Sequence, residues 1–486
     1  MKKILAIALM LALCLGTVAL VSCDRGHTST TEQPTNPEAD TTVQAKPVEY
    51  DVVVYDGSEV TITFSHTMNK TYQGVLDKYI AKFNELYPNI TIEHAQVGGY
   101  DDVRDQIKTE LTAGNQPNIA YCYPDHVALY NVAKAVVPLN SFINNTTEIT
   151  DAQGNTSVFG FTQEQVNDFV PGFYAEGAVF DNAGTMYTLP MSKSTEVLYY
   201  NKTFFEANNL QVPTTWEEMK ALCAKILTID PDCIPLGYDS EANWFITMCE
   251  QYGSPYTSAV RGQNFLFNND TNKAFVKEFR SWYEAGYVTT QELYGGYTSG
   301  LFTETAGKNS YMSIGSTGGA MHQAPEAVDG VYPFEVGIAP IPQVDPENPK
   351  AISQGPSLCI FENPNKQEVA ASWLFVKFLT TNQAFQAEFS MTSGYMPVIK
   401  SVSEVPAYQN YLAGKNGTTK ITALAVSVGI EMENYYFVSP AFNGSSVARD
   451  KVGVLMQYCF VTPATDVDAM LNEAFKAAVA ECVAAQ

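Results

Sequence analysis

Residues 60–92, VTITFSHTMNKTYQGVLDKYIAKFNELYPNITI, carry the pattern from which the fold of this chain is read. Val60-Thr61-Ile62-Thr63-Phe64 is a run of β-branched and aromatic residues, the composition of a strand. Leu76, Tyr79, Ile80, Phe83, Leu86 and Tyr87 then recur at the three-and-four spacing of an amphipathic helix. Pro88-Asn89 stops it, because a proline disfavours helical backbone at the residue before it, and Ile90-Thr91-Ile92 opens a second strand. Tyr100, Val103, Ile107 and Leu111 mark another helical face closed by Gly114, and Asn118 to Tyr123 a third strand. This alternation predicts an α/β fold with a parallel sheet covered on both faces.

A second block of the same character follows. Val197-Leu198-Tyr199-Tyr200 reads as a strand, and Pro213-Thr214-Thr215-Trp216-Glu217-Glu218 as a helix start with Thr215 as N-cap and Glu218 closing a capping box. Trp216 is assigned to helix packing. Ser310 to Ile314, Val336 to Pro342 and Ser357 to Phe361 are further strands, and Gly315-Ser316-Thr317-Gly318-Gly319 a tight turn. Val369 to Leu379 opens a mostly helical C-terminal third.

Upstream of the fold, residues 1–22 have the layout of an export leader: Lys2 and Lys3, then an apolar run from Ile4 to Leu20. Leu20-Val21-Ser22 before Cys23 resembles the lipobox of bacterial lipoproteins, which implies acylation of Cys23. At about 20 residues the apolar run has the length of a membrane anchor, and the Leu-Val-Ser-Cys ending favours cleavage. Residues 23–55 are expected to be the lipidated cysteine and a disordered linker, since 24–49 are rich in Thr, Pro, Glu, Asp and Gln.

The formal charge is −24, and −26 once Lys2 and Lys3 leave with the leader. Such acidity repels nucleic acid and anionic lipid, so neither is expected as a direct partner. The 28 tyrosines offer an apolar face with a hydroxyl, a combination suited to polar, sugar-like ligands. After Cys23 come Cys122, Cys223, Cys233, Cys249, Cys359, Cys459 and Cys482, an odd number that cannot all pair within one chain. Buried thiols are the default for these, with Cys223 and Cys233 the first pair to test for a disulfide. No Cys-x-x-Cys occurs and the five histidines are scattered, so no metal or other cofactor is expected.

Phe83-Asn84 with Tyr87-Pro88-Asn89-Ile90, Gly114-Asn115-Gln116-Pro117, Leu198-Tyr199-Tyr200-Asn201-Lys202, Pro213-Thr214-Thr215-Trp216 and Gly394-Tyr395-Met396-Pro397 occur in an order that resembles the solute-binding proteins of ABC importers. The resemblance runs from about residue 58 to the C-terminus, in the branch that takes sugars and glycerol phosphates. It implies a two-lobed periplasmic-binding-protein-like fold (type II) with the ligand in an interlobe cleft. The N-terminal lobe would take 56–192 and 322–363 and the C-terminal lobe 193–321 and 364–486, with hinges near 191–196, 319–324 and 362–366. Phe64-Ser65-His66-Thr67-Met68 followed by Gly99-Tyr100 is similar to the first strand and first ligand loop of the glycerol-phosphate-binding members.

On that likeness Tyr100, Asp125, Ser194, Trp244, Ser316, Gly355, Tyr395 and Arg449 fall at or beside ligand-contacting positions. Arg449 would hold a phosphate through charge-assisted hydrogen bonds. Ser194 and Ser316 would donate to it, and Gly355 would admit backbone amides to the ligand. Asp125 would accept from ligand hydroxyls, and Trp244 or Tyr100 would stack on the carbon skeleton. The implied partners are a sugar or sugar-phosphate-like small molecule, permease subunits and, through Cys23, the membrane. The implied location is the outer face of the bacterial cytoplasmic membrane or the periplasm. The competing expectation is an exported, lipid-anchored carbohydrate-active hydrolase working through two carboxylates. No nucleophile elbow, His-Glu-x-x-His or phosphate-binding loop supports an enzyme.

Overall fold

The computed structural model of the protein describes residues 46–260, 262–305, 307–414 and 420–486. The leader at 1–22, Cys23 and the linker as far as residue 45 lie outside the described residues. The rest of the expected linker is ordered. Tyr50 donates its amide to Ser141 and its hydroxyl to Glu362, and its ring packs 5.4 Å from Phe142. Tyr50, Val52, Val54 and Tyr55 supply the apolar surface that docks this strap on the first core.

In chain order the elements that build the two sheets and their covers are β1 (Val60–His66), α1 (Lys70–Leu86), β2 (Ile90–Gln96), α2 (Tyr100–Ala113), β3 (Ile119–Cys122), α3 (Pro124–Tyr130), β4 (Leu189–Pro190), β5 (Glu196–Asn201), α4 (Trp216–Ile229), β6 (Leu236–Tyr238), α5 (Glu241–Gln251), α6 (Asp270–Glu284), β7 (Val288–Thr290), β8 (Met312–Ser316), β9 (Val336–Pro340), β10 (Ser357–Ile360), α7 (Lys366–Thr381), α8 (Gln383–Ser393), α9 (Ser445–Val461) and α10 (Val467–Ala484). The strand–helix–strand pattern of the opening stretch is present as expected, with Asn69 capping α1 by accepting from the Tyr72 amide. The capping box at Thr215 and Glu218 is also formed.

The first sheet has the order β2-β1-β3-β10-β4 and the second β9-β5-β8-β6-β7. Neither is the purely parallel sheet expected. β1 runs parallel to β2 and β3, but β10 is antiparallel to β3 and β4, and β5 is antiparallel to β8 and β9. The reversed strands are those that reach their sheet from the other lobe, so they enter from the opposite end.

Two cores result. Phe64, Phe83, Trp373 and Phe375 are buried in the first, and Trp216, Trp244, Phe279 and Phe460 in the second. α7 covers β1, with Phe375 edge-on to Phe64 at 6.4 Å and to Phe83 at 5.1 Å.

The division between lobes differs from the expected 322–363 and 364–486. β9 pairs along its whole length with β5, and Phe334, Ile341 and Ile352 are buried in the second core. The chain therefore stays in the second lobe until about Ile352. Residues 357–411, including α7 and α8, then pack in the first core, from Leu358 to Tyr411. The chain passes from the first sheet at β4 to the second at β5 across residues 191–195. The return lies at 352–357 rather than 319–324, because residues 317–323 form a short helical turn beside β8. The third connection is the helix Lys420–Glu431 rather than 362–366, and it gives Val426 to the first core and Ala425 to the second.

All seven described cysteines are free and buried. Cys223 and Cys233 lie in the second core as thiols, and burial pushes Cys233 up to about 12. They are free thiols, the default reading, and the pair singled out for testing is not bonded.

Candidate functional site

The crossing segments meet in a tight knot of backbone. Ser194 and Gln354 exchange two amide–carbonyl hydrogen bonds of 2.9 Å, and Lys193 and Met396 exchange another pair. Thr195 donates its hydroxyl to the Ile352 carbonyl, and its own carbonyl accepts from the Thr317 amide. Gly355 belongs to this knot, with φ at +89°. A Cβ there would stand 2.6 Å from the Ser192 carbonyl and 2.8 Å from the Lys193 Cα. Its glycine is thus required by the approach of two chain segments. Ser194 is buried in the same knot.

Beside the knot a cleft encloses about 570 Å³ of space, part of it open to solvent. Its first-lobe wall carries Tyr123, Pro124, Asp125 and Glu176. Its second-lobe wall carries Ile246, Tyr256, Thr257, Ser445 and Arg449, and Ile352, Ser353 and Gln354 form the floor. Asp125 and Arg449, more than 300 positions apart in the chain, are therefore brought to one cavity. Among the described residues Arg449 makes no ion pair. Its side chain makes one hydrogen bond among the described residues, from Nη2 to the Asn243 Oδ1.

The first-lobe wall continues as a cluster of rings. Tyr100 is the first residue of α2, and its ring lies 4.5 Å from Tyr123 and 5.9 Å from Tyr121, stacked on the latter at 10°. The Tyr100 and Tyr395 hydroxyls stand 3.4 Å apart. Burial pushes the Tyr100 and Tyr123 phenols well up and Tyr395 up to about 12, so all three stay neutral donors at ordinary pH. Tyr395 lies over Gly318, where a Cβ would come 2.7 Å from the ring. Ser316, at the end of β8, accepts the Gly318 amide through Oγ and keeps its hydroxyl proton available.

Trp244 does not reach the cleft. It is fully buried in the second core, 4.8 Å from Tyr238 at an interplanar angle of 12° and 4.2 Å from Phe279. Its expected stacking on a ligand is replaced by stacking on Tyr238 of β6 and a tilted contact with Phe279 of α6.

Two pairs of charged residues, Lys193 with Glu176 and Arg104 with Asp450, were not predicted from the sequence. Lys193 and Glu176 form an ion pair of 2.8 Å with side chains 0% and 2% exposed. Lys193 Nζ also donates to the Gly355 carbonyl and the Ser357 hydroxyl, and Glu176 accepts from Ser353. The available signal was that residues 182–192 hold no charge, so Lys193 ends an uncharged run. Arg104 on α2 joins the two lobes at the cleft edge by reaching Asp450 on α9 at 3.3 Å, besides Asp101 and Asp105 on its own helix. Burial pushes Asp450 up to about 6.

Two α/β lobes, crossing segments and a cleft against them that carries Asp125 and Arg449 define a two-lobed binding protein with the periplasmic-binding-protein fold. The chain belongs to the bacterial extracellular solute-binding protein family, whose description matches residues 78–415. It is 25% identical over 371 residues to the sn-glycerol-3-phosphate-binding periplasmic protein UgpB of Salmonella typhimurium, covering 72% of this chain and 77% of that protein. The Escherichia coli K12 protein of the same name is 23% identical over 382 residues, 74% and 80% of the two chains. Among solved structures, UgpB from Mycobacterium tuberculosis in complex with glycerophosphocholine superposes with a TM-score of 0.67 at 16% identity, over 87% and 98% of the chains. The cyclic alpha-maltosyl-1,6-maltose binding protein from Arthrobacter globiformis gives 0.65 at 19%, over 87% and 99%. Among the described residues no helix is long and apolar enough to cross a membrane.

Proposed function

We propose that this protein captures a small carbohydrate or glycerol-phosphate-type ligand in the cleft and delivers it to the permease of an ABC importer. In this reading the lobes close on the ligand by hinge motion at the crossing segments. Cys23, acylated, tethers the protein at the outer face of the bacterial cytoplasmic membrane or in the periplasm. It is a binding protein without catalysis.

One observation carries the phosphate-bearing class: Arg449 lines the cleft with no ion pair among the described residues, steadied by a neutral amide. A guanidinium so placed retains donors for an anion. Asp125, opposite, suits ligand hydroxyls, and the proton of Ser316 adds a donor. Tyr100, Tyr123 and Tyr395 offer ring faces to a carbon skeleton, which is the support for a neutral sugar as second reading. A two-carboxylate hydrolase finds less support, because Glu176 is already engaged by Lys193 and Ser353.

Calorimetry with sn-glycerol 3-phosphate, a glycerol phosphodiester and a neutral oligosaccharide tests the reading. Preference for the phosphates supports it, preference for the oligosaccharide selects the sugar reading, and turnover of any of the three overturns the binding-only function.

A further inference from the structure

We infer that Glu196 is a positioning residue for ligand capture: through the amide of Asn243 it sets the direction of the Arg449 guanidinium, which it does not touch. The inference rests on the reading that Arg449 faces an anionic ligand.

Glu196 opens β5 immediately beyond the crossing knot and is 1% exposed. Its Oε2 accepts the Tyr238 hydroxyl at 2.6 Å and its Oε1 accepts the Asn243 Nδ2 at 3.0 Å. The other end of that amide, Oδ1, accepts from Arg449 Nη2. The polarity of the chain is forced. A guanidinium only donates, so Asn243 must present oxygen to Arg449, and its NH2 group must then meet an acceptor. A carboxylate at 196 is that acceptor. A protonated Glu196 has a proton to place, and the amide can satisfy it by turning its oxygen inward, which points NH2 at Arg449 and breaks the hold.

Trp244, next to Asn243 on α5 and stacked on Tyr238, fixes the distance between the helix and β6 across which the relay works. Burial raises the Glu196 carboxyl to about 7, against the lowering pull of Tyr238, Asn243 and Arg449 and with the help of the Asp239 charge. Tyr238 on β6, Asp239 just after it, Asn243 on α5 and Arg449 on α9 act on it, and Ser316 on β8 pairs with it across the sheet. The relay therefore has the means to switch near neutral pH.

Plain electrostatics and positioning predict opposite signs. Removing a buried negative charge near an anion site should strengthen anion binding if charge alone acts. If Glu196 acts by positioning, protonation should weaken it. The probe is sn-glycero-3-phosphocholine, whose diester charge does not change between pH 5.5 and 8.5. Calorimetry is run on the wild-type protein, Glu196→Gln and Arg449→Ala, with thermal unfolding to confirm that each is folded.

The expected result is that wild-type affinity falls about 5-fold from pH 8.5 to 5.5, the size of one hydrogen bond's net contribution, and that Glu196→Gln binds at all pH values as the wild type does at 5.5. Equal pH profiles for the two proteins, or tighter binding by Glu196→Gln, overturn the positioning role. If Arg449→Ala binds the diester as well as the wild type, or the wild type does not bind it, the ligand reading fails instead. Ligand-free neutron crystal structures of the wild type and Glu196→Gln at pH 8, in which the Asn243 amide deuterons are seen, then decide the relay itself. An Asn243 amide turned away from Arg449 in the variant upholds it, and an unchanged Asn243–Arg449 bond rejects it. Should Glu196→Gln fail to fold, Asn243→Leu takes its place, with a selective loss for the diester over a neutral oligosaccharide expected and equal losses for both overturning the inference.

Discussion

The two walls of the cleft are built by different forces. The first-lobe wall is a set of tyrosine rings, Tyr100, Tyr121 and Tyr123, held by contact with one another and by the backbone of α2 and β3. The second-lobe wall presents Arg449 on α9, held by one hydrogen bond to the Asn243 amide. A packed wall keeps its shape through many small contacts and changes little when one is removed. A hydrogen-bonded wall has few contacts and depends on the protonation and orientation of each. The difference teaches where the site is tolerant and where it is tunable.

The largest effect is expected where the walls join. Lys193→Met leaves Glu176 buried without its cation and should cost about 3–5 kcal/mol of stability in urea unfolding. The double variant with Glu176→Leu should recover most of that, and no recovery would mean that Lys193 acts through packing alone. Next, Arg449→Ala should cost about 1.5–3 kcal/mol of affinity for a phosphodiester in calorimetry and leave a neutral oligosaccharide within a few tenths. Equal losses for both would erase the contrast between the walls.

Glu196 supplies a comparable effect on stability. Its folded pKa of about 7 lies above the ordinary 4.5, so between those values the folded protein holds the proton more tightly than the unfolded chain. The stability it contributes is full below pH 4.5 and is lost as pH rises through 7. Urea unfolding at pH 5 and pH 8 should show that slope, of order 2 kcal/mol, and Glu196→Gln should flatten it. The proposed positioning of Arg449 by Glu196 is thus bought with stability above neutral pH.

The smallest effects belong to the ring wall. Tyr123→Leu should reduce ligand affinity by about 0.5–1.5 kcal/mol through the lost aromatic face. Tyr395→Phe, which removes only the long 3.4 Å hydroxyl contact, should change it by less than about 0.5 kcal/mol. A Tyr395→Phe loss as large as that of Arg449→Ala would show that the wall works through hydroxyls rather than ring faces.

Much of this was legible in the sequence, for reasons that differ by residue. The strand and helix over 60–92 are set by local periodicity, which needs no tertiary information. Asp125 and Arg449 were placed by family likeness, and the fold brings both to the cleft. Trp244 was misjudged because a tryptophan on an apolar helix has the same sequence signature whether it faces a core or a cavity. The lobe boundary failed for a related reason: Val336–Pro340 and Ser357–Ile360 are both short apolar strands, and nothing in their alternation says which sheet receives them. Gly355 was seen, but its cause is crowding between crossing segments rather than access to a ligand. Asn243 and Glu196 left no trace, because each is informative only through its partner.

The central place of β10 in the first sheet has a consequence for assembly. Ala120 and Cys359 pair across it, and until residues 357–360 exist the edge of β3 has no antiparallel neighbour. A nascent or truncated chain that stops in the second lobe presents Ile119–Cys122 as an open, apolar strand edge, the kind of surface that recruits other chains. Neither core can close early, since the first draws on residues as late as Val426 and the second opens only at Val197. The N-terminal sheet, begun first in the chain, thus receives its last strand only after every strand of the second sheet has been made.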